Sequence, residues 1–253
     1  MFDYASWACG ATLTGAELIL SGETDIAFNP CGGYHHARAE MASGFCYLND
    51  LVLACMRFLN NDKRVLYLDI DAHHGDGVQE AFYASNQVMA ISLHESGKTL
   101  WPGTGFENEI GDGPGKGFTV NVPSPIGICD AAYIEVFTEI VIPLIKAYDP
   151  DIFVLQTGMD ALAADAIAHL ELTNNAPAEI IDRLLRFNKP LLATGGGGYH
   201  KDIEIHAGGN RPLGSIYFLK ENRFLLHCHR NIGLLPGKYK ISGVSYADLR
   251  ISM

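Results

Sequence analysis

Residues 65–77 read VLYLDIDAHHGDG. The stretch opens with a nearly continuous apolar run, which is typical of a strand buried on both faces of a parallel sheet. It closes with three aspartates and two histidines between positions 69 and 76. Acidic and imidazole groups crowded at the end of a buried strand are costly unless they pair with one another or bind a metal. The stretch therefore predicts an α/β sheet with a divalent-cation site at the end of one strand.

Four other apolar, β-prone runs along the chain lead into polar loops in the same way. The five predicted strands span residues 24–28, 64–70, 87–93, 151–156 and 190–193, and the predicted helices span residues 48–59, 131–146 and 177–187. Pro143 should kink or end the second of these helices, because proline cannot donate a helical hydrogen bond. The alternation indicates a doubly wound α/β domain, in which the loops after the strands converge on one edge of the sheet.

Composition and charge exclude several classes of function. The chain has 253 residues and a net charge of −11, which argues against a nucleic-acid surface of clustered lysine and arginine. No apolar run approaches the ~20 residues needed to cross a bilayer, and the first residues lack the basic region of a secretory signal. The six cysteines form no CxxC pair, which argues against a disulfide framework. We expect an intracellular, cytoplasmic protein without a direct nucleic-acid or membrane partner.

The predicted cation site draws on two strand ends. Asp71 and His73 are two positions apart, so their side chains point to the same side if the strand geometry persists. Asp160, in the loop that follows residues 151–156, is the best candidate for a third ligand. One imidazole and two carboxylates suit zinc and also admit iron(II). A helix cap is the structural alternative for the first pair, but a cap needs only one such residue.

Two further histidines, His35 and His36, lie side by side in the segment CGGYHHA. Alone, the two histidines would say little about function. However, Asp69 and Asp76 are not needed as metal ligands, so each could pair with one of these histidines. A carboxylate that holds one ring nitrogen fixes the tautomer of a histidine and raises its basicity, as a general base or acid requires. His74 is explained better as a structural histidine bonded to backbone than as a ligand.

Tyr199 follows four glycines in the segment ATGGGGYH. Such a loop can cradle a phosphate, although the Gly-Lys-Ser/Thr of a P-loop is absent. The tyrosine can instead donate a hydrogen bond to a developing oxyanion. These residues alone leave the two alternatives open. Phe45 and Trp101, on two other loops, are either core residues or the walls of an apolar slot.

Together these motifs resemble the zinc-dependent histone deacetylase superfamily, and most of all its class I histone deacetylase and acetoin-utilisation branch. The matching segments are FDYA, GGYHHARAEMASGFCYLND, RVLYLDIDAHHGDGVQEAFY, ISLHESGKTLWPGTG, GKGFTVNVP, VLQTGMDAL and GGGGY, in family order from residue 2 to residue 199. The resemblance implies an arginase-like three-layer α/β fold with a mainly parallel sheet. It also implies a hydrolase that removes acetyl groups from the lysine side chains of proteins by metal-activated water. Acetylpolyamines and small acylated amines are alternative substrates.

The resemblance implies a role for each candidate residue. The zinc ligands would be Asp71, His73 and Asp160. The catalytic residues would be His36 as general base, its neighbour His35, Asp69 holding His35, Asp76 holding His36, and Tyr199 polarising the acetyl carbonyl. The acyl-lysine tunnel would be lined by Gly44, Phe45 and Trp101. A possible potassium site would use Asp69, Asp71, His73, Ser92 and Leu93.

The sequence also departs from the family pattern. The leading section of the family has no counterpart, and Asp165 is followed by Ala166 where the family usually has proline. The resemblance stops at Tyr199, so we predict a catalytic domain over residues 1–199 and a divergent segment, or the product of a shifted reading frame, over residues 200–253. An inactive, truncated binding module is therefore one alternative. An arginase-like ureohydrolase is another, but it would need an Asp where the chain has Gly75.

Overall fold

The computed structural model describes residues 2–199, so the segment at residues 200–253 lies outside the described residues. Its strands are β1 (Ile26–Asn29), β2 (Val65–Asp69), β3 (Val88–Glu95), β4 (Thr119–Ser124), β5 (Ile152–Gln156) and β6 (Leu191–Thr194). They form one sheet in the order β1-β6-β5-β2-β3-β4, and each neighbouring pair is parallel. This sheet confirms the parallel α/β arrangement that the sequence predicts.

Helices cover both faces of the sheet. They are α1 (Phe2–Leu20), α2 (Asp50–Leu59), α3 (Asp76–Phe82), α4 (Asp130–Val136), α5 (Ile142–Tyr148) and α6 (Asn175–Leu185). Side chains of β2 alternate between two hydrophobic clusters, because successive residues of a strand point to opposite faces. Leu66 and Leu68 pack with α4, α5 and α6. Val65 and Tyr67 pack with α1, α2 and α3. The result is the three-layer fold that the resemblance implies.

Three elements of the structure were not predicted as helices or strands: α1, α3 and β4. The buried face of α1 consists largely of small residues, among them Ala8, Thr12 and Gly15, so its apolar periodicity is weak. Small residues are needed there because α1 lies close to the sheet. A Cβ on Gly15 would lie 2.9 Å from Leu192 Cδ1. β4 is an edge strand and contains Pro123. A proline argues against predicting a strand, because it cannot donate a hydrogen bond to the sheet.

The predicted break near Pro143 is confirmed. A π-helical turn at Phe137–Val141 separates α4 from α5. The ring of a proline clashes with the carbonyl of the residue four positions earlier, here Glu139, and a wider turn relieves that clash. Among the described helices, none is both long and apolar enough to cross a membrane.

Candidate active site

The register of the sheet aligns the strand ends that carry the candidate residues. Asp69 at the end of β2 pairs with Gln156 of β5, and Gln156 pairs with Thr194 of β6. On the other side, Thr194 pairs with Asn29 of β1. The four parallel strands β1, β6, β5 and β2 therefore end at the same level of the sheet. The loops that follow these strands meet over the same edge of the sheet.

Asp71, His73 and Asp160 form the one group of potential metal ligands found within residues 2–199. All three are buried, and their candidate ligand atoms lie within 4.8 Å of one another. His73 Nδ1 lies 3.2 Å from Asp71 Oδ1 and 3.0 Å from Asp160 Oδ2. Among the described residues, only histidines form ion pairs with these two carboxylates. Two carboxylates and one imidazole nitrogen this close together match the donor set of a divalent cation.

The remaining carboxylate oxygens of this cluster are held by donors from the surrounding loops. Asp71 Oδ2 accepts hydrogen bonds from Gln156 Nε2 at 2.8 Å and from the Gly197 N–H at 3.1 Å. Asp160 Oδ1 accepts one from the Ala72 N–H at 2.8 Å. Burial, together with the negative charge of Asp71, raises the pKa of Asp160 to about 7. The charge of Asp71 therefore opposes the ionisation of Asp160, whereas at Asp71 burial is outweighed by the neighbouring histidines His35 and His73, which hold the pKa of Asp71 well below its usual value; a bound cation would offset the opposition at Asp160.

His36 and His35 each have a carboxylate on one ring nitrogen. His36 Nδ1 lies 2.7 Å from Asp76 Oδ1, and His35 Nδ1 lies 2.7 Å from Asp69 Oδ2. Because a carboxylate only accepts hydrogen bonds, Nδ1 carries the proton in both rings. The Nε2 atom of a neutral ring is then available as a proton acceptor. Arg38 Nη2 donates to the second oxygen of Asp76 at 2.8 Å and holds that acid in place.

The two histidines differ in their electrostatic surroundings. Burial, followed by the positive charge of His35, lowers the pKa of His36 to about 4. Burial also disfavours the charged form of His35, but the charges of Asp69 and Asp71 outweigh it and raise its pKa to about 9. The neutral form is therefore favoured at His36 and the charged form at His35. A cation bound beside His35 would offset part of the field from Asp71.

The glycine-rich loop packs directly against the acid cluster. A Cβ on Gly197 would lie 2.1 Å from Asp160 Oδ2, so only glycine permits this approach. The Gly197 N–H faces the carboxylate of Asp71 and is not directed towards a phosphate site. Burial and the charges of Asp160 and Asp71 raise the pKa of Tyr199, so its phenol stays protonated and can donate a hydrogen bond. The loop therefore favours the oxyanion alternative over the nucleotide alternative.

Aromatic side chains surround the mouth of the site. The Trp101 ring lies 4.6 Å from the His36 ring, and the Phe45 ring lies 6.1 Å from the Tyr199 ring. Phe45 is 75% exposed and Trp101 is 47% exposed, so neither is a core residue. Gly44 packs against Trp101 and His36: a Cβ there would approach Trp101 Cη2 to 2.6 Å and His36 Cδ2 to 2.4 Å. The two rings therefore present apolar surface next to His36 and Tyr199.

The sequence of the chain is similar to those of known proteins. The family model described as "Histone deacetylase domain" matches residues 1–207. The chain is 44% identical over 202 residues to Histone deacetylase 9 of Arabidopsis thaliana, which covers 80% of this chain and 47% of that protein. It is 43% identical over 199 residues to Histone deacetylase RPD3 of Saccharomyces cerevisiae, which covers 79% of this chain and 46% of that protein.

The chain belongs to the histone deacetylase family. It is also 42% identical over 200 residues to Histone deacetylase 8 of Xenopus tropicalis, across 79% of this chain and 54% of that protein. The chain spans about half the length of the curated relatives that it matches.

In this member of the histone deacetylase family, both ring nitrogens of His74 bond to side chains, so the expected bond to backbone is wrong. Its Nδ1 lies 2.8 Å from Thr104 Oγ1, and its Nε2 lies 3.0 Å from Gln79 Oε1. Glu109 Oε2 accepts a hydrogen bond from Gln79 Nε2 at 2.6 Å, and its Oε1 accepts from backbone N–H groups of the loop that carries Trp101. Sequence reasoning missed Gln79 and Glu109, because these partners lie in different segments.

The other family-implied positions lie close by. Ser92 pairs with Asp69 in the sheet, and its hydroxyl lies 2.8 Å from His94 Nδ1. The Leu93 carbonyl accepts a hydrogen bond from the Tyr133 hydroxyl at 3.0 Å. A potassium site at Asp69, Asp71, His73, Ser92 and Leu93 stays a prediction. Sequence reasoning also missed Gln156, although a polar residue that ends the buried strand β5 is the same signal as Asp69 at the end of β2.

Proposed function

We propose that this chain carries the catalytic centre of a zinc-dependent deacetylase that removes acetyl groups from lysine side chains of proteins. One observation carries the proposal. A buried cluster of three potential metal ligands lies beside two carboxylate-held histidines at one sheet edge, and the glycine-rich loop that ends at Tyr199 packs against this cluster. The relatives are named histone deacetylases, which supports acetylated lysine as the substrate. An intracellular, cytoplasmic location is part of the proposal.

Asp71, His73 and Asp160 would hold the cation. When bound, it supplies Lewis-acid activation of the amide carbonyl and of the attacking water. Zinc suits this mixture of nitrogen and oxygen donors, with iron(II) as the alternative. Gln156 and the Ala72 N–H orient the two carboxylates through hydrogen bonds of 2.8 Å. Such supporting contacts fix the direction in which each ligand atom points.

The proton transfers fall to the histidines. His36, held by Asp76, accepts a proton from the water as its oxygen attacks the acetyl carbon. Tyr199 donates a hydrogen bond to the carbonyl oxygen as negative charge develops on it. The carbon–nitrogen bond then breaks, and a protonated histidine delivers a proton to the leaving amine. The products are acetate and a free lysine side chain.

The residues at the entrance of the site favour a substrate with a long, unbranched side chain. Phe45 and Trp101 present apolar surface at the entrance, and Trp101 packs closely against Gly44. The methylene chain of acetyl-lysine would pass between the rings and bring the amide to the buried cluster. The net charge of −11 also favours approach by basic protein segments.

The test is hydrolysis of a fluorogenic acetyl-lysine peptide by the zinc-loaded full chain, with Tyr199→Phe as the matched control. We expect hydrolysis by the wild-type chain and strong loss in the control. Acetylpolyamine and arginine are assayed in parallel, together with metal content. Preference for acetylpolyamine would reject the proposed substrate class, and urea release with two metals per chain would favour a ureohydrolase. No hydrolysis at full zinc occupancy would reject the enzyme in favour of a binding module.

A further inference from the structure

Asp165 has no part in the chemistry proposed above, yet it contacts Tyr199. It lies in the loop after β5, five residues beyond Asp160. Its Oδ2 accepts a hydrogen bond of 2.7 Å from the backbone N–H of Tyr199. Its Oδ1 accepts one of 2.9 Å from the N–H of Ile167 within its own loop. One carboxylate therefore joins the loop after β5 to the end of the glycine-rich loop.

We propose that Asp165 is the positioning residue of Tyr199, fixing the backbone from which the phenol reaches the reacting carbonyl. The inference rests on the proposed function, because it assigns Asp165 to the same site. Asp165 touches neither the substrate nor the metal ligands in this role. It acts only through Tyr199.

The backbone before Tyr199 is also fixed two residues earlier, at Gly197. The Gly197 N–H donates to Asp71, and the Gly197 carbonyl accepts a hydrogen bond of 2.8 Å from the Met159 N–H. Gly198, between the two anchors, has φ +142°, a conformation that side chains rarely adopt. Without the contact to Asp165, the tyrosine would pivot about a glycine that imposes little restraint.

Side-chain packing gives Tyr199 little support of its own. The residue is 43% exposed, and its ring neighbour Phe45, 6.1 Å away, is 75% exposed. A buried tyrosine would be held by its neighbours, but this one depends on its main chain. A misplacement of about 1 Å in a catalytic group can cost roughly 100-fold in rate. Loss of the hydrogen bond at the Tyr199 N–H should therefore lower the rate of the reaction.

The loop that presents Asp165 is itself well anchored. Buried Glu95 accepts hydrogen bonds from the His169 N–H at 2.8 Å and from His169 Nδ1 at 3.0 Å. The Ala163 N–H donates to the Leu172 carbonyl at 2.8 Å. Ala164 adopts φ +70°, a left-handed turn just before Asp165. Such a loop can hold the position of a neighbouring backbone because its own backbone is restrained on both sides of Asp165.

The test compares Asp165→Ala with Asp165→Asn in the zinc-loaded full chain. Alanine removes the acceptor, so we expect kcat to fall about 10-fold or more while KM stays within about 2-fold. Asparagine keeps one acceptor oxygen, which can take the Tyr199 N–H if the bond from the Ile167 N–H is lost, so its kcat should fall less than that of the alanine variant. Asp182→Asn, in the exposed ion pair between Asp182 and Arg186, is the control and should leave kcat unchanged. A change in KM alone, or equal losses for alanine and asparagine, would contradict the proposal.

A double-mutant cycle separates positioning from general stability. In the Tyr199→Phe background the phenol is already absent, so Asp165→Ala should cause no further loss of kcat. An equal loss in both backgrounds would overturn the role assigned to Asp165.

Hydrogen exchange at the Tyr199 amide supplies a readout that does not need activity. The amide should be protected in the wild type and in Asp165→Asn, and it should lose protection in Asp165→Ala. If the chain shows this pattern of protection but hydrolyses no acyl amine, the hydrogen bond from the Tyr199 N–H to Asp165 is supported and the proposed function is rejected. Unchanged protection in Asp165→Ala would overturn the anchor at any level of activity.

Discussion

The end of β2 and the loop after β6 serve one site but are built in opposite ways. At the end of β2 and just beyond it, Asp69, Asp71 and His73 are buried, and each has several hydrogen-bond partners. After β6, Tyr199 is 43% exposed and the structure holds it through its main chain. The difference follows from what each region must do. Groups that carry charge need fixed partners in a water-poor interior, whereas a group that meets substrate must stay accessible.

The largest expected effect comes from breaking the buried region at Asp160→Asn. Loss of one anionic ligand should release the cation and lower kcat/KM by about 10³-fold or more, since metal activation supplies several kcal/mol. Metal analysis of the purified chain and peptide hydrolysis measure both effects. Asp182→Asn, in an exposed ion pair with Arg186, is the matched control and should change neither. Full zinc content in Asp160→Asn would contradict the assigned ligand set.

Tyr199→Phe tests the exposed region with the next largest effect. Removing the phenolic donor should lower kcat by about 10²–10³-fold, because one oxyanion donor contributes that much. Zinc content and thermal stability should stay at wild-type values, since the hydroxyl supports no packing of the core. Loss of zinc or of stability in this variant would show that the two regions are not independent.

Asp76→Asn sharpens the comparison inside the buried region. The variant keeps an acceptor for the His36 Nδ1–H but loses the charge that raises the basicity of the ring. We expect kcat to fall about 10–100-fold, as for other residues that orient a catalytic histidine or ligand. Steady-state kinetics and zinc analysis measure the change. Unaltered kcat would remove His36 as the general base.

Phe45→Ala should have the smallest effect of the four. Phe45 is largely exposed, so the free energy of unfolding should change by no more than about 0.5 kcal/mol. Its loss removes apolar surface at the mouth, which should raise KM a few-fold and leave kcat unchanged, as expected for uniform binding. Kinetics and thermal unfolding provide the measurements. A large fall in kcat would place Phe45 in the chemistry and not at the rim.

Local sequence was sufficient for much of the sheet and for the chemistry at its edge. Five apolar runs predicted β1, β2, β3, β5 and β6 because continuous burial leaves a continuous apolar signal. The polar residues just beyond those runs, such as Asp71 and His73, stood out because packing does not explain them. Pro143 predicted the break between α4 and α5 for an equally local reason. Elements whose signal depends on a distant partner, α1 and β4, were missed.

Only the tertiary structure brought the pieces together. The sheet order places β2 between β3 and β5, and this order brings Asp160 to His73 across 87 positions of sequence. The partners of His74 and the contact between Asp165 and the Tyr199 N–H have the same origin. No local pattern encodes them, because a hydrogen bond between two loops depends on where the whole sheet places each loop. The residue types in the sequence therefore determined which chemical groups are available, and long-range packing decided which of these groups lie together in one site.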